Sequence, residues 1–404
     1  MSFNNLTVPK IRTTKIRIST LVDWLSVMCI ILFSAHDCLV RLFPVFPYSS
    51  LSLLLMALLI LIDVVFNSVG NHRTIIFLIF AYMIIGIGYL LANGTQEGYI
   101  KTLFLQPLAA SRLWVFFVVF SLIKQPEKWN KKLVWLAYIN VFLIVITTLT
   151  GRYSTTDRAL NYVGLGISAA MWIPLIVQCA FLSEGNARTL HIFGASFSIV
   201  FVAVYGNRGS LVAILFYVIY CILKYAKVRR KVLIIFLLCI LGWTIYKYQT
   251  SIIAFIAKQV SRFGIYSRNL ILYLNGNITY TTHRADEIWV RGIEAIGERP
   301  LLGYGLCYDR VLNGAIDVYV HNLVLELFLT FGIPIGSVLL IIHFFLGGMM
   351  ASRYMENRWE QLFSPFWVTS TVLLMFNNSF CQLGFFWIPY GVYLAYLKNV
   401  KMRN

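Results

Sequence analysis

"VYVHNLVLELFLTFGI" (residues 318–333) places a polar pair, His321 and Asn322, at the mouth of an apolar run. The run continues through Pro334 to about residue 350. That is longer than the roughly 20 apolar residues needed to cross about 30 Å of hydrocarbon. Gly332 and Pro334 interrupt it, so the reading predicts a span over 323–350 broken at that point, its first part re-entrant or tilted. A titratable ring beside such a run is expensive and asks for a purpose.

Working outward, similar runs recur along the whole chain. Of 404 residues, 59% are hydrophobic and only 12% charged, unlike a soluble globular domain. Spans are expected near 20–40, 48–66, 73–92, 99–123, 133–150, 159–182, 188–206, 209–225, 231–248, 323–350, 362–379 and 384–399, about twelve in all. The expected fold is an all-α polytopic membrane protein. A β-barrel would show short alternating segments instead. Its organisation reads as an N-terminal transmembrane bundle of about nine spans (1–248), a loop (249–320) and about three C-terminal spans (321–404).

Orientation follows from Lys and Arg. The tail with Lys10, Arg12, Lys15 and Arg17, the loop "KQPEKWNKK" (124–132), "KYAKVRRK" (224–231) and the end "LKNVKMRN" all fall on one side when twelve spans are threaded. By the positive-inside rule that side is cytoplasmic. The formal charge of +18 is thus assigned to topology, not to nucleic acid. No small-residue cleavage site follows the basic N-terminus, which predicts an uncleaved start. Six of the seven cysteines lie in apolar runs and no CxxC occurs, so they read as small buried residues.

The same threading puts 249–320 outside, and a loop this long is usually functional. It contains amphipathic stretches, among them "THRADEIWVRGIEAIGERPLLGYG", with Ile288, Ile293 and Ile296 at roughly helical spacing among charges. Short helices lying on the outer membrane surface are expected. The loop carries Arg262, Arg268, Arg284, Arg291, Arg299 and Arg310 but only one lysine, Lys258. Arginine grips phosphate in a bidentate fork, so this skew suits a lipid-linked phosphate or diphosphate. The alternative is structural pairing with Asp286, Glu287, Glu294, Glu298, Asp309 and Asp317, and most of these arginines are assigned to it. Short outer turns add Arg152 and Arg158 in "GRYSTTDR" and Arg208 in "YGNRGSL".

Arg208 sits in a tight turn with no acid nearby in sequence, which favours a functional role over pairing with a distant carboxylate. His321 reads as a general base for a sugar hydroxyl, against the alternative of an interfacial ring satisfied by a backbone carbonyl. His283 adjoins Arg284 and is placed in the same site. No metal motif is evident. Asp286 and Glu287 are adjacent, and consecutive helical residues do not face one point. The reading leans to arginine, not metal, at the leaving group, with no cofactor.

Three stretches in this order, "YGNRGSLVAIL" (205–215), "HRADEIWVRGIEAIGERPLLGYG" (283–305) and "YVHNLVLELFLTFGIPIG" (319–336), resemble the O-antigen ligase and O-antigen polymerase superfamily of bacterial envelope glycosyltransferases. The resemblance covers roughly 200–340 by motif and the rest by topology. It implies a fold related to class C glycosyltransferases. It implies inverting, metal-independent transfer of a glycan from undecaprenyl diphosphate to an acceptor hydroxyl, outside the bacterial cytoplasmic (inner) membrane. Carried over by motif, Arg208 and Arg284 bind and neutralise the diphosphate and His321 activates or orients the hydroxyl. Arg158, Arg291, His283 and Asn322 are expected to contact substrate. Implied partners are the lipid-linked donor and acceptor, membrane lipid, a chain-length regulator and a flippase. Some members carry a late-span acid where this chain reads "LLMFNNSFCQLGFFW" (373–387), with Asn377 and Asn378 instead. The wording of the motifs favours a repeat-unit polymerase over a ligase. A flippase for the same lipid is disfavoured by the single long loop and the absence of visible halves.

Overall fold

The computed structural model describes residues 8–42, 83–105, 107–150, 162–227, 284–314, 318–351, 357–376, 378–380 and 382–401, with scattered positions in 51–61 and 243–259. The secondary structure among the described residues is helical throughout, without strands. The longer helices are α1 (Val8–Ser34), α2 (Pro107–Ser121), α3 (Pro126–Leu149), α4 (Tyr162–Leu182), α5 (Gly185–Tyr205) and α6 (Arg208–Tyr225). They continue with α7 (Val290–Glu298), α8 (Tyr308–Asn313), α9 (Leu323–Ala351), α10 (Asn357–Phe376) and α11 (Ile388–Lys401). Among the described residues, five helices (α3, α4, α5, α6 and α9) are long and apolar enough to cross a membrane. The chain is an all-helical polytopic membrane protein. The expected spans near 48–66 and 231–248 lie largely outside the described residues.

α4 is the central helix. It packs against α3, α5, α6 and α10, and its Trp172, Ile173 and Ile176 are almost wholly buried. Large apolar side chains around one helix make a close-packed centre, while α5 and α9 leave Phe193, Ile341 and Phe345 exposed as a lipid-facing surface would. Two boundaries differ from the sequence expectation. The basic stretch 124–132 is not a loop: α3 begins at Pro126, with Glu127 in its first turn. Proline at a first helical position costs no hydrogen bond, and an acid there meets the positive helix end. The span expected over 99–123 is divided into a short helix Glu97–Ile100, a π-helical turn Lys101–Leu105 and α2.

Side-chain contacts bring the basic stretches together at one end of the bundle. Asn130 donates to the Arg358 carbonyl at 3.2 Å, Lys398 to the Ser121 carbonyl at 3.4 Å and Asn399 to the Ile123 carbonyl at 3.2 Å. Lys224 pairs with the buried Glu360 at 3.1 Å, and Tyr225 donates to the same carboxylate at 2.9 Å. α6 finishes at this end and α10 starts from it, so Arg208 and the 378–380 segment lie at the other.

The break expected in α9 is present. Gly332 has φ +77°, and a Cβ there would sit inside contact distance of the Leu301 carbonyl. The break frees carbonyls that the helix can no longer use, since Pro334 has no N–H. The turn "RPLLGYG" supplies the missing partners. Tyr304 N donates to Leu329 O at 2.7 Å, Gly305 N to Thr330 O at 3.0 Å, and Ile333 N to Pro300 O at 2.7 Å. Leu306 N donates to Gly88 O at 2.8 Å, fastening the turn to the helix ending near residue 90. Gly305, with φ +86°, passes so close to Ala92 that a side chain has no room.

Candidate functional site: the His321 segment

Residues 288–329 form a small second core of their own. Ile288, Ala295, Ile296, Tyr304, Val320 and Leu329 bury one another, joining α7, the turn and the first half of α9. Of the three isoleucines expected on one face of α7, Ile288 and Ile296 are buried but Ile293 is 58% exposed. Gly292 lets α7 approach closely: a Cβ there would meet Val320 Cγ1 at 3.3 Å.

His321 emerges from this core. The residue is 7% exposed, and its ring lies 3.9 Å, centroid to centroid, from that of Tyr319. Its φ is +49°, one of two positive values among the described non-glycine residues; the other is Cys307. Such a backbone costs on the order of 1–3 kcal/mol and persists only where neighbours hold it. Asn322 follows as the cap of α9: its side-chain oxygen accepts from Val324 N at 3.0 Å and Leu325 N at 3.2 Å. The amide nitrogen takes no part in that cap.

Beneath the segment lies a buried charge cluster. Arg310, 0% exposed, donates from Nη1 to both oxygens of Asp309 at 2.6 and 2.7 Å and to Glu326 Oε1 at 3.1 Å. Its Nη2 donates to Ser379 Oγ at 2.7 Å, and the Ser379 hydroxyl donates to Glu326. Asp309 is 3% and Glu326 2% exposed. A buried guanidinium facing two carboxyl groups is stabilised only because its partners are this close. The Arg310 guanidinium carbon also lies 4.8 Å from the centroid of the Tyr319 ring. Burial pushes the nearby Cys307 thiol up to about 12, so this cysteine stays protonated at neutral pH.

This cluster is what sequence reading missed. Most arginines of the loop read as structural in the sequence, and Arg310 is paired with Asp309 in that way. Glu326 has no partner in the nearby sequence, although a lone carboxylate inside "NLVLELFL" is the kind of residue an apolar run does not keep without one.

The other expected site residues are distributed as follows. Arg208 is the exposed first residue of α6, after a turn in which Asn207 Oδ1 accepts from Ser210 N at 2.6 Å. That turn rests on Gly166 of α4, where a Cβ would meet Asn207 N at 2.8 Å. Arg291 is exposed on α7. Arg284 opens the π-helical turn Arg284–Trp289, but its side chain lies outside the described residues, as do Arg158 and His283 altogether. Arg208 and His321 therefore share the end of the bundle opposite the basic stretches.

An apolar cavity of about 300 Å³ begins two residues after His321. Leu323, Leu327 and Phe331 line it from the first half of α9, and Leu339, His343 and Leu346 from the second. His343 is fixed on its wall by Tyr390, 2.8 Å from Nδ1, and Thr371, 2.9 Å from Nε2. The region thus combines His321 just ahead of α9, Arg208 at the same end of the bundle and an oily space running beside α9.

No curated protein matches the chain. Residues 193–342, from α5 through most of α9, match the family described as O-antigen ligase. This region, which contains Arg208, Arg291 and His321, is where the chain is similar to that family.

Proposed function

We propose that the protein is a polysaccharide repeat-unit polymerase of O-antigen or capsule type. It moves a glycan from undecaprenyl diphosphate to a sugar hydroxyl of another lipid-linked repeat unit, on the outer face of the cytoplasmic membrane. The observation that carries this reading is the buried, backbone-strained His321 at the end of the bundle away from the basic stretches, within the family-matched region. Basic residues gather on the cytoplasmic side, which puts His321 and Arg208 outside. The proposed architecture is twelve spans divided as 1–248, 249–320 and 321–404, related to class C glycosyltransferases.

In the proposed step the acceptor oxygen attacks the anomeric carbon of the donor. The bond from that carbon to the phosphate oxygen breaks, with inversion, and undecaprenyl diphosphate leaves. A ring nitrogen of His321 takes the hydroxyl proton or orients it. Arg208 and Arg284 neutralise the charge growing on the diphosphate, where preorganised donors contribute most. Arg158, Arg291, His283 and Asn322 contact the sugars and phosphates. The apolar cavity takes part of the isoprenoid tail. A flippase would supply the lipid-linked units before this step and a chain-length regulator would act on the growing chain.

The ligase reading, transfer to lipid A–core, stays as the second one because the matched family is described as O-antigen ligase. Deleting the gene separates the two. A polymerase mutant makes surface lipid with a single repeat unit, whereas a ligase mutant leaves glycan on undecaprenyl diphosphate. For the site, Arg208→Ala and Arg208→Lys should both abolish polymer while membrane levels of the protein stay normal, because a lysine cannot make the bidentate phosphate contact. Normal chains from Arg208→Lys would remove the bidentate contact from the mechanism.

A further inference from the structure

His321 is held through the peptide next to it. The Val320 N–H donates to Asp309 Oδ2 at 3.4 Å, and the Val320 carbonyl accepts from the indole Nε1 of Trp289 at 2.7 Å. One hydrogen-bonding group on each side of a single residue is thereby fixed, from α8 on one side and from the turn leading into α7 on the other. Asp309 cannot swing away, because Arg310 holds both its oxygens. Arg310 is held as well, because Glu326 of α9 also accepts from its Nη1 and Ser379 beyond α10 accepts from its Nη2. Glu326 is tied in turn to the Phe380 N–H at 3.3 Å. Arg310 also faces Tyr319, the ring on which His321 rests. Two separate pieces of chain thus hold the residue before the strained histidine, and two more hold the arginine that fixes one of them.

We propose that Asp309 and Trp289 are positioning residues for His321, clamping Val320 from both sides, with Arg310 and Glu326 locking Asp309 in place. The inference rests on the reading of His321 as the group that meets the acceptor hydroxyl. A base must be within hydrogen-bond reach of its proton in a defined orientation, and a displacement of about 1 Å costs up to roughly 100-fold. The φ of +49° at His321 makes its ring direction sensitive to any loosening of Val320.

The test uses two variants with little change in shape: Trp289→Phe, which drops the indole N–H from one side of the clamp, and Asp309→Asn, which weakens the other by exchanging a charged acceptor that Arg310 holds for a neutral amide. Both are purified in detergent and assayed with a lipid-linked repeat unit, alongside His321→Ala. Each should lower kcat at least roughly tenfold, leave KM within about twofold, and melt within a few degrees of the parent protein. If His321→Ala keeps normal turnover, the reading of His321 fails and the positioning role with it. If His321→Ala is inactive but Trp289→Phe keeps the parent kcat, the positioning role alone is overturned. A fall in kcat matched by a rise in KM and a lower melting temperature would also overturn it, because that is general loosening. Should Asp309→Asn fail to fold, Trp289→Phe decides alone, since its side chain is only partly buried.

Discussion

At the residue scale, Asn322 carries two readings that one substitution separates. Its side-chain oxygen caps α9, and replacing a capping asparagine by alanine costs about 1 kcal/mol whatever else it does. Asn322→Asp keeps the cap and removes the amide N–H. If Asn322 contacts the anionic substrate, this variant should melt like the parent and raise KM about tenfold, read in detergent with purified donor. An unchanged KM would leave Asn322 as a cap alone. His321 and Arg208 were legible in the sequence because each is a polar residue at an apolar boundary, a conspicuous cost. The Asp309–Arg310–Glu326–Ser379 cluster was not, because its members are 1, 16 and 69 residues apart from Arg310, and nothing local pairs Glu326 with them. Long-range pairing of buried charge is a property of the folded chain, and only the oddity of a lone carboxylate in an apolar helix hints at it.

At the element scale, the broken helix α9 and the turn that repairs it form one unit. Gly332 and Pro334 announce the break in the sequence, and "PLLGYG" announces a turn. That the turn's N–H groups satisfy the carbonyls freed by the break is visible only in the fold. Gly332→Ala should therefore be severe. It adds backbone strain of about 1–3 kcal/mol at φ +77° and drives a methyl into the Leu301 carbonyl. Detergent melting should drop by several degrees, with more protein lost to aggregates; a parent-like melting curve would mean the turn is not docked there. The cavity beside α9 makes a separate prediction. Leu346 is 6% exposed and lines it, so Leu346→Trp should fill it. KM for an undecaprenyl-linked donor should rise while KM for a short-chain isoprenoid analogue stays unchanged. Equal effects on both donors would place the tail elsewhere.

At the scale of the whole molecule, length and hydropathy alone were enough for an all-helical polytopic protein, because a span is a local property of about 20 residues. Orientation needed contacts as well. The stretches read as cytoplasmic from their lysines and arginines gather at one end through Lys224–Glu360, Asn130–Arg358 and Asn399–Ile123. Single cysteines in a background lacking the native ones should accordingly react differently with an impermeant thiol reagent on intact cells. One at the exposed Ile293 should be labelled, and one at Lys227 only after permeabilisation. The reverse pattern would invert the molecule. The central claim is that His321 serves glycan transfer from a lipid diphosphate, and it is tested most directly on purified protein in detergent, given only a lipid-linked repeat unit. The parent protein should lengthen the glycan and release undecaprenyl diphosphate, and His321→Ala, folded to the same melting temperature, should do neither. Chain growth by His321→Ala at the parent rate, or none by the parent itself, would contradict it.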